Sequence, residues 1–217
     1  MTEAVFSWII VKDFSWLKRI QMMSMEQKPL AELSDNEIVK LTLLNQEIYG
    51  EIVGRYHDKL LRYIKSLGCA NADDAEDVLQ EVFIKAYRNL NDYDISLKLS
   101  SWLYRIAHNQ TVSFFRKANI RPQPFAKADD MVLLESIRAD INLSADLDRQ
   151  FLETAVEKFL SKLDEKYRRV LVLKYLEEKS YEEISDILEK PLGTVATLLN
   201  RAKAKLKKEL VLEKIKI

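Results

Sequence analysis

Apolar residues recur along most of this chain at spacings of three and four, and only a few polar or turn-forming stretches interrupt the rhythm. Ser34 and Glu37 have capping-box spacing, so a helix begins there and turns Ile38, Leu41 and Leu44 inward. Asn45 marks a break, after which Ile48, Ile52, Tyr56, Leu60, Tyr63 and Ile64 predict a second helix as far as Gly68. Asn71 is the expected N-cap of a third, whose inner face carries Val78, Leu79, Val82, Phe83, Ala86, Tyr87 and Leu90. A polar, turn-like gap follows, and Ser101 is expected to open a fourth helix running to Lys117. Residues 29–117 therefore read as a compact helical bundle.

The rhythm fades over residues 118–150, where Pro122 and Pro124 precede scattered apolar positions, and this stretch reads as a flexible linker. It resumes near Arg149: Phe151, Leu152, Ala155, Val156, Phe159, Leu160 and Leu163 give one helix, and Asp164 caps the next through Tyr167, Val170, Leu171 and Tyr175. Ser180 and Glu183 repeat the capping box and open a short helix from Tyr181 to Leu188. Glu189-Lys190-Pro191-Leu192 forms the turn, and Gly193-Thr194 starts a long last helix. In that helix Val195, Leu199, Ala202 and Leu206 share one side, while Thr194, Thr197, Arg201, Lys205 and Lys208 share the other. Two helices joined by a tight turn, the second one basic, have the form of a helix-turn-helix over residues 151–212. The fold class expected is all-α, with two small helical domains on one tether. Residues 1–28 are left as an extension: Phe6, Ile10, Phe14 and Leu17 make one face of a short docking helix, or translation starts later, at Met23 or Met25.

Net charge adds nothing, because 34 acidic residues balance 34 basic ones, but the charges are segregated. Asp73, Asp74, Glu76, Asp77 and Glu81 lie within residues 72–84 with no Lys or Arg among them. Between Ile95 and Ala128 there is no carboxylate, while Lys98, Arg105, Arg116, Lys117, Arg121 and Lys127 are all cationic. An acidic helix next to a basic, aromatic one predicts two different partners, one basic and one anionic. A merely solvated helix usually mixes both signs to gain pairs one turn apart, and the purity of the acidic face argues against that reading. In the basic helix Arg105, Asn109 and Arg116 come round to one side, and Trp102, Phe114 and Phe115 read as core. Tyr104 and His108 fit the buried stripe less well, and either stack on unpaired bases or complete the core.

One cysteine, Cys69, rules out an internal disulfide and any cysteine-cluster metal site, and His57 and His108 have no metal-ligand spacing. No constellation of nucleophile, base or metal ligands can be assembled, so an enzyme is the weakest reading. An autonomous helix-turn-helix regulator would leave a palindromic footprint without help. A pure interaction protein would be indifferent to Arg201→Ala in any DNA assay.

The order of these pieces resembles a bacterial RNA polymerase sigma factor of the extracytoplasmic-function (ECF) group. Asp74-Ala75-Glu76-Asp77-Val78-Leu79-Gln80-Glu81-Val82-Phe83 is similar to that family's polymerase-docking helix, and Ser101-Trp102-Leu103-Tyr104-Arg105-Ile106-Ala107-His108-Asn109 to its promoter-melting segment. Ser180-Tyr181-Glu182-Glu183-Ile184 and Gly193-Thr194-Val195 resemble the helix-turn-helix that reads the upstream promoter element. The resemblance implies a region 2-like bundle and a region 4-like domain in a cytoplasmic promoter-specificity subunit, with no cofactor and no small-molecule substrate. It implies that Asp74, Asp77, Gln80, Glu81 and Phe83 meet the clamp helices of the largest subunit of core RNA polymerase. Trp102, Tyr104, Arg105, His108, Asn109, Arg116 and Lys117 would hold the displaced strand of the downstream promoter element, next to a base-capturing loop at residues 91–99. Thr194, Thr197, Asn200, Arg201, Lys203 and Lys205 would meet duplex promoter DNA. The acidic linker would run through a channel built for nucleic acid, and an anti-sigma factor is a further partner found in the family. The chain departs from the family pattern where Ala196-Thr197-Leu198 replace Lys-Ser-Arg, where Asn200 replaces His and His108 replaces Arg, and where the 91–99 loop lacks the usual Phe and basic residues.

Overall fold

The computed structural model describes residues 29–119 and 163–215, with side chains as far as Lys208. All the regular structure in those residues is helical. Seven helices follow in order: α1 Asp35–Leu44, α2 Tyr49–Ser66, α3 Ala72–Arg88, α4 Leu99–Ala118, α5 Glu165–Leu171, α6 Tyr181–Leu188 and α7 Leu192–Ile215. The extension, most of the linker and the helix expected from Phe151 lie outside the described residues. Contacts divide the chain within α2, after Gly54.

In the first unit the Ser34 capping box forms as the spacing requires: the Glu37 N–H donates to Ser34 Oγ at 3.4 Å and the Ser34 N–H to Glu37 Oε2 at 2.7 Å. Ile38, Val39 and Leu41 are buried, but Leu44 is 47% exposed. The expected inward Leu44 is corrected because the helix ends at that residue: Asn45 turns the chain into a single 3-10 turn, its Oδ1 accepting from the Glu47 N–H.

In the second unit Tyr56, Leu60, Tyr63 and Ile64 of α2 are buried, as are Val78, Leu79, Val82, Phe83 and Ala86 of α3. Burying each Leu, Val or Phe contributes about 1.5–3 kcal/mol, so this stripe holds the bundle together. Asn71 caps α3, its side chain accepting from the Asp74 N–H at 3.0 Å. Tyr87 departs from expectation at 37% exposed, since it sits in the last turn before the chain leaves the helix. The next helix also starts earlier than expected. Lys98 occupies the N-cap of α4, and Ser101 lies buried inside the first turns, its hydroxyl without a hydrogen-bond partner. The segment Leu90–Asp92 and the Tyr93 hydroxyl, which donates to the Leu97 carbonyl at 2.5 Å, fold the connection tightly enough to advance the start.

The helix-turn-helix forms as the pattern predicts, with α6 spanning Tyr181–Leu188 behind a complete Ser180–Glu183 capping box. Glu189 ends α6 in the left-handed region at φ 52°, and the Pro191 carbonyl accepts from the Thr194 and Val195 N–H groups, so α7 begins at Leu192, just ahead of Gly193. Val195, Leu199, Ala202 and Leu206 are all buried, and α7 packs on α5 and α6. Asp164 precedes α5 but makes no side-chain cap bond, and α5 widens into a π-turn at Val172–Leu176.

Candidate polymerase and nucleic-acid interfaces

Three surfaces carry the residues singled out by the sequence. On α3, burial of the apolar stripe drives the acids outward by helix geometry alone: Asp77, Gln80 and Glu81 are exposed and Asp74 is half-buried. No ion pair engages Asp77 or Glu81 among the described residues. Both border a groove of about 550 Å3 whose remaining wall includes Val78, Gln110, Phe114 and Lys117. Phe83 does not share that surface. It is 8% exposed and belongs to the α3 core, because it lies on the apolar rather than the acidic side of the same helix.

On α4 the expected residues split into two groups. Asn109, Arg116 and Lys117 are exposed and Arg105 is half-buried, forming a basic face toward the C-terminal end. Trp102 is half-buried and its ring centroid lies 5.2 Å from that of Tyr93. Tyr104 and His108 are 1% and 6% exposed. They resolve the alternative left open by the sequence in favour of burial, for a reason absent from the helix itself: the second helical domain packs on this side of α4 through α6 and the turn after α5. The Tyr104 hydroxyl donates to Glu177, and burial next to that carboxylate pushes the phenol pKa well above the usual range. His108 lies between two groups, with Nδ1 3.1 Å from the Tyr63 hydroxyl and Nε2 3.4 Å from Arg169 Nη1. A guanidinium can only donate, so Nε2 accepts and Nδ1 carries the proton that it gives to Tyr63. Burial first, then Arg169 and Lys190, push the His108 pKa down to about 3.

On α7, Thr194, Thr197, Asn200, Arg201 and Lys205 are exposed and Lys203 is half-buried. The Thr197 hydroxyl donates back to the Gly193 carbonyl at 2.7 Å. Lys205 lies 3.5 Å from Asp164 and 4.7 Å from the Tyr167 ring centroid, which anchors the stem at the edge of α5. Arg201 projects from the middle of the face opposite the core stripe. The sequence reading missed Arg62, Tyr63, Arg169, Glu177 and Lys179, which surround Tyr104 and His108. Its one usable signal was that these two residues strayed from the main apolar stripe: an aromatic pair at i and i+4 off the stripe marks a second buried face.

Comparison with known proteins follows the same division. Residues 52–120 match Sigma-70 region 2 and residues 153–206 match Sigma-70, region 4. Over 173 residues the chain is 38% identical to the ECF RNA polymerase sigma factor SigW of Bacillus subtilis (strain 168), an alignment covering 76% of this chain and 90% of that protein. The chain belongs to the ECF RNA polymerase sigma factors. It is 31% identical to the ECF RNA polymerase sigma-E factor of Escherichia coli (strain K12), covering 79% of this chain and 92% of the relative. The solved structure of CnrH in complex with the cytosolic domain of CnrY is similar at 25% identity and a TM-score of 0.58, covering 82% of this chain and 97% of that one. This sigma factor is thus a non-catalytic promoter-specificity subunit, a reading favoured over an autonomous helix-turn-helix regulator. None of its described helices is long and apolar enough to cross a membrane.

Proposed function

We propose a division of labour along the chain in which each exposed face serves one step of transcription initiation. The acidic row Asp74, Asp77, Gln80 and Glu81 docks on a basic helical surface of core RNA polymerase, complementary charge speeding and orienting the encounter. Val78 and Phe114, in the groove beside it, give that contact an apolar floor. Arg105, Asn109, Arg116 and Lys117 follow the backbone of the displaced promoter strand. Trp102, with Tyr104 and His108 once uncovered, offers rings on which unstacked bases rest. Melting on this reading is trapping: contacts made only to the open strand offset the cost of unstacking. Thr194, Thr197, Asn200, Arg201, Lys203 and Lys205 meet the duplex further upstream, with phosphate contacts from the cations and base edges read near the α7 N-terminus.

The domain limits that go with this reading are 29–117 and 151–212, with 118–150 as tether and 1–28 as an extension. Since both partners are polymerase and chromosome, the chain works in the cytoplasm. An anti-sigma protein is a further expected partner, in line with the CnrY complex of the similar CnrH. The observation that carries the docking assignment is the outward, unmixed acidic row beside the α3–α4 groove. Reversing it in Asp77→Lys, Glu81→Lys should reduce capture of core polymerase by at least tenfold and remove promoter-directed runoff transcripts, while thermal unfolding stays unchanged. Normal capture by the double variant refutes the docking assignment.

A further inference from the structure

The side of α4 that carries Tyr104 and His108 is covered by the second helical domain of the same chain, and Glu177 is at the centre of the cover. Glu177 is 7% exposed; its carboxylate accepts from Arg62 Nε at 3.2 Å and Arg62 Nη2 at 3.3 Å, and from the Tyr104 hydroxyl. A guanidinium fork and a hydroxyl converging on one anion are also the donors a phosphate group would take. Lys179 places its Nζ 4.3 Å from the Tyr104 ring centroid, over the face on which a base would stack. Lys59 joins Arg62, Tyr104 and Lys179 along a cleft of about 560 Å3. A second ion pair between α4 and α6 joins Lys98, at the α4 N-cap, to Glu183 at 3.2 Å.

The backbone delivering Glu177 is itself unusual. Its N–H donates to the Val172 carbonyl at 3.0 Å, closing the π-turn, and the next residue, Glu178, takes φ 51°. The same left-handed conformation ends α6 at Glu189, and here it closes the π-turn and holds Glu177 at the helix end.

We propose that Glu177 is a latch: in the free chain its carboxylate takes the place of a DNA phosphate on Arg62 and Tyr104, and single-stranded DNA reaches α4 only after the second domain lifts away. The proposal deepens the assignment of α4 as the strand-binding helix and rests on it. Apparent affinity for a strand is then the intrinsic affinity multiplied by the open fraction.

The test uses the full chain with a dye pair on cysteines introduced at two exposed positions, Arg88→Cys and Asp186→Cys. Cys69 is buried and its thiol pKa is pushed up to about 11, so it stays unlabelled. Glu177→Arg sets two cations against each other. It should lower energy transfer between the dyes and raise affinity for a fluorescent oligo(dT) strand about tenfold, the gain expected of a latch that is open one-tenth of the time. Glu177→Gln, which keeps the side-chain shape, should move both readouts in the same direction. Glu182→Gln makes the same charge change on an exposed glutamate outside the cleft and should move neither. The swap Arg62→Glu, Glu177→Arg keeps net charge and should restore the original energy transfer, though not the strand affinity, because Arg62 is itself a phosphate donor. Unchanged oligo(dT) affinity in both Glu177 variants overturns the latch, as does a swap whose energy transfer stays as low as that of Glu177→Arg alone. Tyr104→Ala in the Glu177→Arg background separates the two ideas: if transfer stays low and the affinity gain survives, the latch stands and the stacking role of α4 falls.

Discussion

His108 stands where two demands meet. Its Nε2 must accept from Arg169 and its Nδ1 must donate to Tyr63, which only the neutral imidazole can do. Protonation would set an imidazolium against a guanidinium in a buried site, which is why its pKa is pushed down to about 3. An uncovered or unfolded His108 titrates near its ordinary value of about 6.5. Above that pH both states are neutral and the packing is fully stabilising. As pH falls below it, the open chain takes up a proton that the closed chain refuses, so the closed state loses up to about 1.4 kcal/mol per pH unit. Urea midpoints measured at pH 7 and pH 5 should therefore drop more for the natural chain than for His108→Gln; equal drops would show that His108 does not couple to this packing. Cys69 shows the same physics with a simpler outcome: burial, with Asp74 nearby, keeps it a thiol and chemically quiet.

Among the elements, the short α6 depends most on its cap. It spans only Tyr181–Leu188, too few residues to hold a helix in water by propensity, and it buries just Ile184 and Ile187. The Glu183 N–H donates to Ser180 Oγ at 3.2 Å and the Ser180 N–H to Glu183 Oε2 at 2.8 Å, satisfying two amides that would otherwise lack partners. Ser180→Ala should cost about 1 kcal/mol in a chemical denaturation measurement. Because α6 also packs on α4, the loss should appear as well in the energy transfer between dyes on Arg88→Cys and Asp186→Cys. The start of α4 shows how a boundary escapes a local reading. Ser101 has the chemistry of an N-cap, yet the tight turn before it lets the helix begin at Leu99 and leaves Ser101 inside. The turn over residues 90–97 fixed the boundary there, whereas at Ser34, Asn71 and Ser180 the cap hydrogen bond and the hydrophobic rhythm agree.

At the level of the whole molecule, opposite charges on separate faces let one chain with no net charge engage a basic protein and a polyanion. These two bindings should respond differently to salt. On the proposed assignment, duplex binding through α7 would release condensed counterions, so Arg201→Ala should weaken DNA binding at every sequence and lower the slope of log affinity against log salt by about one. An unchanged slope would remove Arg201 from the phosphate contacts. Asp77→Lys with Glu81→Lys should leave that slope alone, since the proposed assignment gives α3 to the polymerase.

What the sequence determined by itself is whatever depends on near neighbours along the chain: the helical class, the capping boxes at Ser34 and Ser180, the inner faces of α3 and α7, and hence, by exclusion, the outward acids of α3 and cations of α7. Helix periodicity and capping are local, so residues a few positions apart encode them. Only the tertiary structure decided the burial of Tyr104 and His108 and the position of Glu177 against them. Glu177 meets Tyr104 across 73 positions of sequence, and no periodicity reaches that far. A carboxylate after a π-turn looks like any surface acid until folding brings Arg62 and Tyr104 to it, because the desolvation and donor geometry that define its role exist only once distant segments pack.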